Sequence, residues 1–135
     1  MSETFAILIV DHDEDSRQSL TKTLTKEGYL VETAADGEEA LDKLGHTPFD
    51  LVVTDIAMPR LNGFELLKII KQRFPQVGVI VMTTHGDVFT VKDALLMGAD
   101  EYITKPFKSY EIGLIIERAC WRLQAARKDA PHPRA

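Results

Sequence analysis

The stretch DLVVTDIAMP at residues 50–59 decides the fold of this chain. It is apolar without a break over residues 51–54, which is typical of a strand buried on both faces of a parallel sheet. Four further strand candidates lie at residues 5–10, 29–33, 77–82 and 101–103. The first, third and fourth of the five candidates are continuously apolar, so they are predicted to be the central strands.

The segments between these strands carry apolar residues at helical spacing. Asp36 is predicted to cap the second helix and Gly45 to close it, while Asp87 is predicted to cap the fourth and Gly98 to end it. The predicted core positions of the five helices are Leu20, Leu24, Ala40, Leu41, Leu44, Phe64, Leu67, Ile70, Val88, Val91, Leu95, Ile112, Ile115, Ile116, Ala119 and Leu123. Alternating strands and helices predict an α/β domain around an open parallel sheet.

Length and composition limit the classes of function. The 135 residues, 44% of them hydrophobic, are enough for one domain, predicted at residues 4–123. The helical pattern is lost after Ala125, so residues 124–135 are predicted to form a tail or linker. The net charge of -5 argues against direct nucleic-acid binding. The single Cys120 permits no internal disulfide, and we expect a cytoplasmic protein that does not insert into a membrane.

Polar residues follow the predicted strands at the edge where parallel sheets bind ligands. The run DHDED at residues 11–15 follows the first strand, and Asp55 follows the third. Thr83 follows the fourth strand, and the run TKP at residues 104–106, with Lys105 at its centre, follows the fifth. Clustered carboxylates repel one another unless a cation lies among them, and Mg²⁺ accepts carboxylate and phosphate oxygens. The pattern therefore predicts Mg²⁺-dependent phosphoryl chemistry in which the Asp55 carboxylate is the nucleophile.

Five stretches of this sequence together resemble the receiver domain of bacterial two-component response regulators. They are ILIVD at residues 7–11, DLVVTDIAMP at 50–59, NG at 62–63, MTTHGD at 82–87 and GADEYITKPF at 98–107. The resemblance covers about residues 4–123. It implies a flavodoxin-like (βα)5 fold, a doubly wound five-stranded parallel sheet with strand order 2-1-3-4-5.

The resemblance also implies a role for individual residues. The roles are phosphoacceptor for Asp55, acidic-pocket metal ligand for Asp11, switch hydroxyl for Thr83, phosphoryl contact for Lys105, switch aromatic for Tyr102, and metal ligand for the backbone carbonyl of Ala57. A cis bond between Lys105 and Pro106 is implied as well. For Tyr102, a half-buried strand residue without a switching role is an interpretation of nearly equal weight.

One position departs from the family's pattern. The second of two adjacent acidic residues after the first strand is replaced by His12, and imidazole is a poorer ligand for Mg²⁺ than carboxylate. Weakened but retained Mg²⁺ binding is the preferred interpretation; recruitment of Asp13 and preference for a softer ion such as Mn²⁺ are the alternatives. Protonation of His12 would repel the metal and add a pH dependence.

The function that the resemblance implies is signalling rather than enzymatic turnover. A sensor histidine kinase or histidine phosphotransfer protein would phosphorylate Asp55, and the surface of helix four, strand five and helix five would change its affinity for a partner or effector domain. Ala57 and His85 lie where water approaches the phosphoryl group in this family, and neither positions it well, which predicts slow autodephosphorylation.

The sequence leaves open the function, the length of the whole protein and its oligomeric state. A degenerate receiver would act as a phosphate-independent binding module, and a Mg²⁺-dependent phosphohydrolase would also use an aspartate, although 135 residues leave little room for its cap and acid/base. Both a stand-alone regulator and a piece of a longer one preceding an effector domain fit the sequence. Homodimerisation through the fourth and fifth helices stays open too.

Overall fold

The computed structural model describes residues 4–84 and 91–129, without the side chains of residues 91, 128 and 129. Its strands are β1 Ala6–Val10, β2 Leu30–Ala34, β3 Leu51–Asp55, β4 Gly78–Thr84 and β5 Glu101–Lys105. Its helices are α1 Glu14–Lys26, α2 Gly37–His46, α3 Gly63–Arg73, α4 Val91–Leu96 and α5 Ser109–Asp129. All five strands are parallel in the order β2-β1-β3-β4-β5, which confirms the predicted topology.

The sheet separates two hydrophobic cores because successive side chains of a strand point to opposite faces. Val53 lies in register with Ile9 and Ile80, and all three pack toward α1 and α5. Val52 points the other way, into the core beneath α2, α3 and α4. All five residues of β3 are buried, as the continuous apolar run predicted.

The helix ends follow the capping chemistry of the sequence. Asp36 caps α2 by accepting a hydrogen bond from the Glu39 N–H, as predicted. Gly28 and Gly98 have φ of 96° and 98° and follow the ends of α1 and α4, where the left-handed conformation stops a helix. The prediction that Gly45 closes α2 is wrong, because the helix continues through His46 and ends at the Thr47 cap.

The core positions predicted on α4 need correction. Leu95 is 49% exposed, and Ala94 is the residue buried against the sheet. A helix turns by about 100° per residue, so a shift of one position moves the buried stripe to a different residue. Asp87 and Val88, predicted as the cap and a core residue, lie outside the described residues.

The fifth helix is longer than its apolar pattern. Ile112, Ile116 and Ala119 are buried as predicted, but α5 continues past Ala125 to Asp129. Arg127 explains the extra turn, since its guanidinium donates to Asp50 Oδ1 at 2.6 Å and lies 5.7 Å from the Phe5 ring centroid.

Candidate functional site

Three polar side chains converge at the carboxyl edge of the sheet because of strand register. Asp11, Asp55 and Lys105 each lie two residues beyond a side chain of the α1/α5 core. Those core residues are Ile9, Val53 and Ile103. Side chains two residues apart in a strand point to the same face of the sheet. The three polar groups therefore lie on the same face, at the carboxyl ends of β1, β3 and β5.

The ammonium of Lys105 joins the two carboxylates. Its Nζ donates to Asp11 Oδ2 at 2.7 Å and to Asp55 Oδ2 at 3.3 Å. Asp11 is fully buried, and its Oδ1 accepts a hydrogen bond from the Asp13 N–H at 2.9 Å. Arg17 donates to the backbone carbonyl of Asp11 at 2.7 Å, which fixes the loop that carries the pocket. Three residues far apart in sequence thus form one charged pocket.

The electrostatics of the pocket favour an incoming cation. Burial raises the pKa of Asp55 above its ordinary value, and the charge of Asp11 adds to that effect, while Lys105 and the Ala57 N–H oppose it. Burial lowers the pKa of Lys105, but its hydrogen bond and ion pairs with the two carboxylates outweigh burial and raise the pKa overall. A further positive charge would ease the remaining cost of ionising Asp55.

The residues present fit a divalent metal ion. Among the described residues, Asp11, His12 and Asp55 each offer a ligand atom, and these atoms lie within 4.8 Å of one another. His12 Nδ1 lies 3.9 Å from Asp11 Oδ1, with its side chain 55% exposed. The pocket therefore combines two carboxylates with one imidazole, at the position where the sequence departs from the family pattern.

Asp13, the alternative ligand, has a different structural task. It caps α1 by accepting from the Asp15 N–H at 3.2 Å, and its second oxygen accepts from the Ser16 hydroxyl at 3.1 Å. The cap could have been found in the sequence, because Asp13 is followed by the acidic first turn typical of a helix start. The role of the Ala57 carbonyl as a ligand stays a prediction.

Thr83 and Tyr102 lie on the other face of the sheet. Thr83 is buried at the end of β4, and its register partner on β5 is Thr104, two residues beyond Tyr102. The two side chains are therefore diagonal neighbours on the face toward α4. Tyr102 is 36% exposed, which fits both a switch aromatic and an ordinary half-buried strand residue. Their roles stay predictions.

Sequence reasoning missed a charged cluster between β5 and α5. Glu101 is buried in β5, and its carboxylate accepts from Arg118 at 2.7 and 2.8 Å and also pairs with Arg122. Two arginines four residues apart share one side of a helix, and an acidic residue inside a strand needs a partner when buried. Those two signals together could have predicted the cluster.

A groove opens beside the pocket, between α1 and the segment that leads into α5. Its volume is about 620 Å³, and Lys105 is one of the residues that line it. Leu20, Phe107 and Ile112 give it an apolar floor, while Asp13 and Ser16 supply polar groups. The bond between Lys105 and Pro106, two residues that line the groove, is cis, as the resemblance implied.

Fold and site together define a class of protein. The response regulator receiver domain family matches residues 7–117, and the chain belongs to this family. Members are receivers of two-component systems, which pair with histidine kinases and effector domains, and phosphorylation and Mg²⁺ binding are general properties of the family.

Individual response regulators show how similar the chain is to other members of the family in sequence and in structure. The chain is 36% identical over 116 residues to a putative NtrX-like response regulator of Rickettsia bellii, covering 84% of this chain and 24% of that protein. NtrX from Brucella abortus, solved in complex with ATP, superposes with a TM-score of 0.88 at 34% identity, over 93% of this chain and 29% of that one. The chemotaxis response regulator CheY4 of Vibrio cholerae superposes at 0.80 and 31% identity, over 87% and 99%.

The chain thus spans about a quarter of the length of its NtrX-like relatives but nearly the whole of CheY4. Among the helices of residues 4–84 and 91–129, none has the length and apolar character needed to cross a membrane.

Proposed function

We propose that this chain is a phosphoacceptor signalling domain that receives a phosphoryl group on Asp55 from a sensor histidine kinase or a histidine phosphotransfer protein. The observation that carries the proposal is the bridge from Lys105 to both Asp11 and Asp55 at the carboxyl edge of the sheet. A lysine held between two carboxylates beside an open groove presents positive charge where a phosphoryl group would arrive.

The phosphoryl transfer is a displacement at phosphorus, in which one bond forms and one bond breaks. A carboxylate oxygen of Asp55 forms the new P–O bond, and the P–N bond to the donor imidazole breaks with its electron pair returning to the ring nitrogen. Lys105 stabilises the phosphoryl oxygens, and Asp11 holds the ammonium in place. Mg²⁺, held by Asp11, Asp55 and the Ala57 carbonyl with His12 or Asp13 beside them, would neutralise the negative charge that gathers there.

The output of the domain is a population shift rather than turnover. The new phosphoryl oxygens would accept a hydrogen bond from Thr83, and Tyr102 would turn into the space left behind, changing the surface of α4, β5 and α5. Phosphorylation favours the active surface only by the difference in free energy that it makes between the two states. We propose a downstream effector domain or protein as the partner, with phosphorylation-dependent homodimerisation, in the cytoplasm and without direct nucleic-acid contact.

Incubation with a small acyl phosphate and Mg²⁺, followed by intact mass spectrometry, tests the proposal. We expect one stable phosphoryl adduct on the wild-type protein and none on Asp55→Asn, with matching circular dichroism spectra as the control for folding. A wild-type protein that never gains the adduct would identify a phosphate-independent binding module. Continuous release of inorganic phosphate from the acyl phosphate, without an adduct, would identify a hydrolase.

The phosphoryl group is expected to leave Asp55 slowly. The Ala57 side chain has no polar group with which to orient a water molecule, and His85, the other relevant position, lies outside the described residues. The lifetime of the adduct should be many minutes, and Ala57→Asn should shorten it by supplying an amide. A lifetime of seconds in the wild-type protein would contradict this prediction.

A further inference from the structure

We propose that His12 makes the acidic pocket selective for divalent transition ions that bind imidazole well, such as Co²⁺ and Zn²⁺, over Mg²⁺. The inference rests on the proposed function, because it concerns the metal of the same pocket. It differs from weakened Mg²⁺ binding alone, since it requires His12 to contribute a favourable ligand and not merely to lack a charge.

The geometry places an imidazole nitrogen among the metal ligands. Ligand atoms of Asp11, His12 and Asp55 lie within 4.8 Å of one another, and ligands that share an ion at bonds of about 2.1 Å lie about 3–4 Å apart. Asp11 is fully buried and held by two hydrogen bonds, whereas His12 is largely exposed. The His12 ring can therefore turn toward the carboxylates without displacing packed atoms.

Charge explains why Mg²⁺ is disadvantaged. Lys105 lies 2.7 Å from Asp11 and 3.3 Å from Asp55, so one of the two negative charges is already compensated within the pocket. A carboxylate at position 12 would restore a second net negative charge, but an imidazole binds a metal as a neutral ligand. Mg²⁺ depends on charged oxygen ligands, whereas Co²⁺ and Zn²⁺ gain substantially from a ring nitrogen.

Asp13 does not supply the carboxylate ligand that Mg²⁺ lacks at position 12. Asp13 is not part of the group of ligand atoms that Asp11, His12 and Asp55 form, and its two carboxylate oxygens accept hydrogen bonds at the start of α1 instead. Among the described residues, His12 is therefore the third side chain whose ligand atom lies close to those of Asp11 and Asp55.

A second histidine could imitate the effect and must be removed first. His46 Nδ1 lies 3.8 Å from Asp42 Oδ1 on the outer face of α2, where both side chains are exposed. Such a pair binds transition ions weakly without any functional pocket. The test is therefore made in His46→Ala protein, and only the part of the binding that depends on His12 counts.

The experiment compares Mg²⁺ and Co²⁺ by isothermal titration in His46→Ala protein with His12, His12→Asp or His12→Ala. Replacing His12 by Asp should raise Mg²⁺ affinity and lower the ratio of Co²⁺ to Mg²⁺ affinity by about tenfold or more. His12→Ala should weaken Co²⁺ by about tenfold and Mg²⁺ by less than about threefold. The visible absorption of bound Co²⁺ should change with each substitution.

An affinity ratio that is the same in all three proteins would overturn the inference. If that result came with normal phosphorylation of Asp55 in Mg²⁺, the proposed function would stand and the role of His12 alone would fail. If Co²⁺ bound selectively through His12 while no metal supported a phosphoryl adduct, the metal site would stand and the proposed function would fail.

Discussion

The third and fourth helices pack against the same face of the sheet but are attached to it very differently. Within α3, Phe64, Leu66, Leu67 and Ile70 are all buried, and a complete capping box starts the helix at Asn62. Within the described side chains of α4, residues 92–96, Ala94 is the buried one, and Leu96 is 75% exposed.

This difference in burial makes α3 a fixed part of the domain and the described part of α4 an adjustable one. Gly63, the first residue of α3, donates its N–H to the Ile56 carbonyl at 2.9 Å, so α3 holds the turn that directly follows Asp55. Burial of a large apolar side chain contributes about 1.5–3 kcal/mol, which α3 gains several times and the described part of α4 does not. A rearrangement of α4 therefore costs less than one of α3.

The largest expected effect comes from truncating the core of α3. Ile70→Ala should lower the free energy of unfolding by about 2–5 kcal/mol, because a fully buried side chain leaves a cavity. Urea denaturation followed by circular dichroism measures the loss, and Ile70→Val, expected to cost about 0.5–1.5 kcal/mol, is the graded control. A loss below about 1 kcal/mol for alanine would mean that α3 is not the firmly held helix.

Gly63 tests the link between α3 and the pocket. A Cβ at this position would lie 2.3 Å from the Asp55 carbonyl oxygen and 2.7 Å from the Ile56 Cα, so the backbone must move. Gly63→Ala should cost about 1–3 kcal/mol and slow phosphorylation of Asp55 by acyl phosphate.

Gly45→Ala is the matched control for Gly63→Ala. Nothing lies within 4 Å of a Cβ at Gly45, inside α2, so this variant should gain up to about 1 kcal/mol and keep the wild-type rate. Equal phosphorylation rates in both alanine variants would argue against a link from α3 to Asp55.

The capping box gives a smaller effect. Asn62 Oδ1 accepts from the Glu65 N–H at 2.9 Å, so Asn62→Ala should lower the free energy of unfolding by about 1 kcal/mol. Glu65→Gln keeps an oxygen that can accept from the Asn62 N–H and should stay within about 0.5 kcal/mol of wild type. Thermal unfolding that ranks the two variants the other way would refute the capping argument.

The smallest effect is expected on α4. Leu96→Ala removes a mostly exposed side chain and should change the free energy of unfolding by less than about 0.5 kcal/mol. Hydrogen exchange should show faster exchange in residues 92–96 than in α3 of the same protein. Comparable protection of both helices would remove the distinction between a fixed and an adjustable part.

Much of this organisation follows from local pattern. The continuous run at residues 51–54 identified the central strand, and the polar residue after each run identified Asp11, Asp55 and Lys105 as neighbours. Both inferences succeed because the two-residue period of a strand and the parallel order of the sheet leave little freedom.

Other features depend on contacts that no local pattern contains. The α4 prediction was wrong about Leu95, because a few apolar positions on a short helix do not determine its rotation against the sheet. The last turn of α5 is polar and was predicted to be a tail, yet Arg127 reaches Asp50, 77 residues away in sequence.

The contact between Arg127 and Asp50 has a mechanical consequence. The 21 residues of α5 make a rod about 30 Å long that starts near Lys105 and ends at the opposite edge of the sheet, where β1 and β3 begin. A tilt of about 5° at the first turn would swing the far end by about 2.5 Å, given that length. The partly exposed ion pair of Arg127 and Asp50 adds only about 0.2–1 kcal/mol to the packing of the buried residues Ile112, Ile116 and Ala119, so it resists this swing at the helix end but does not by itself hold α5 in place.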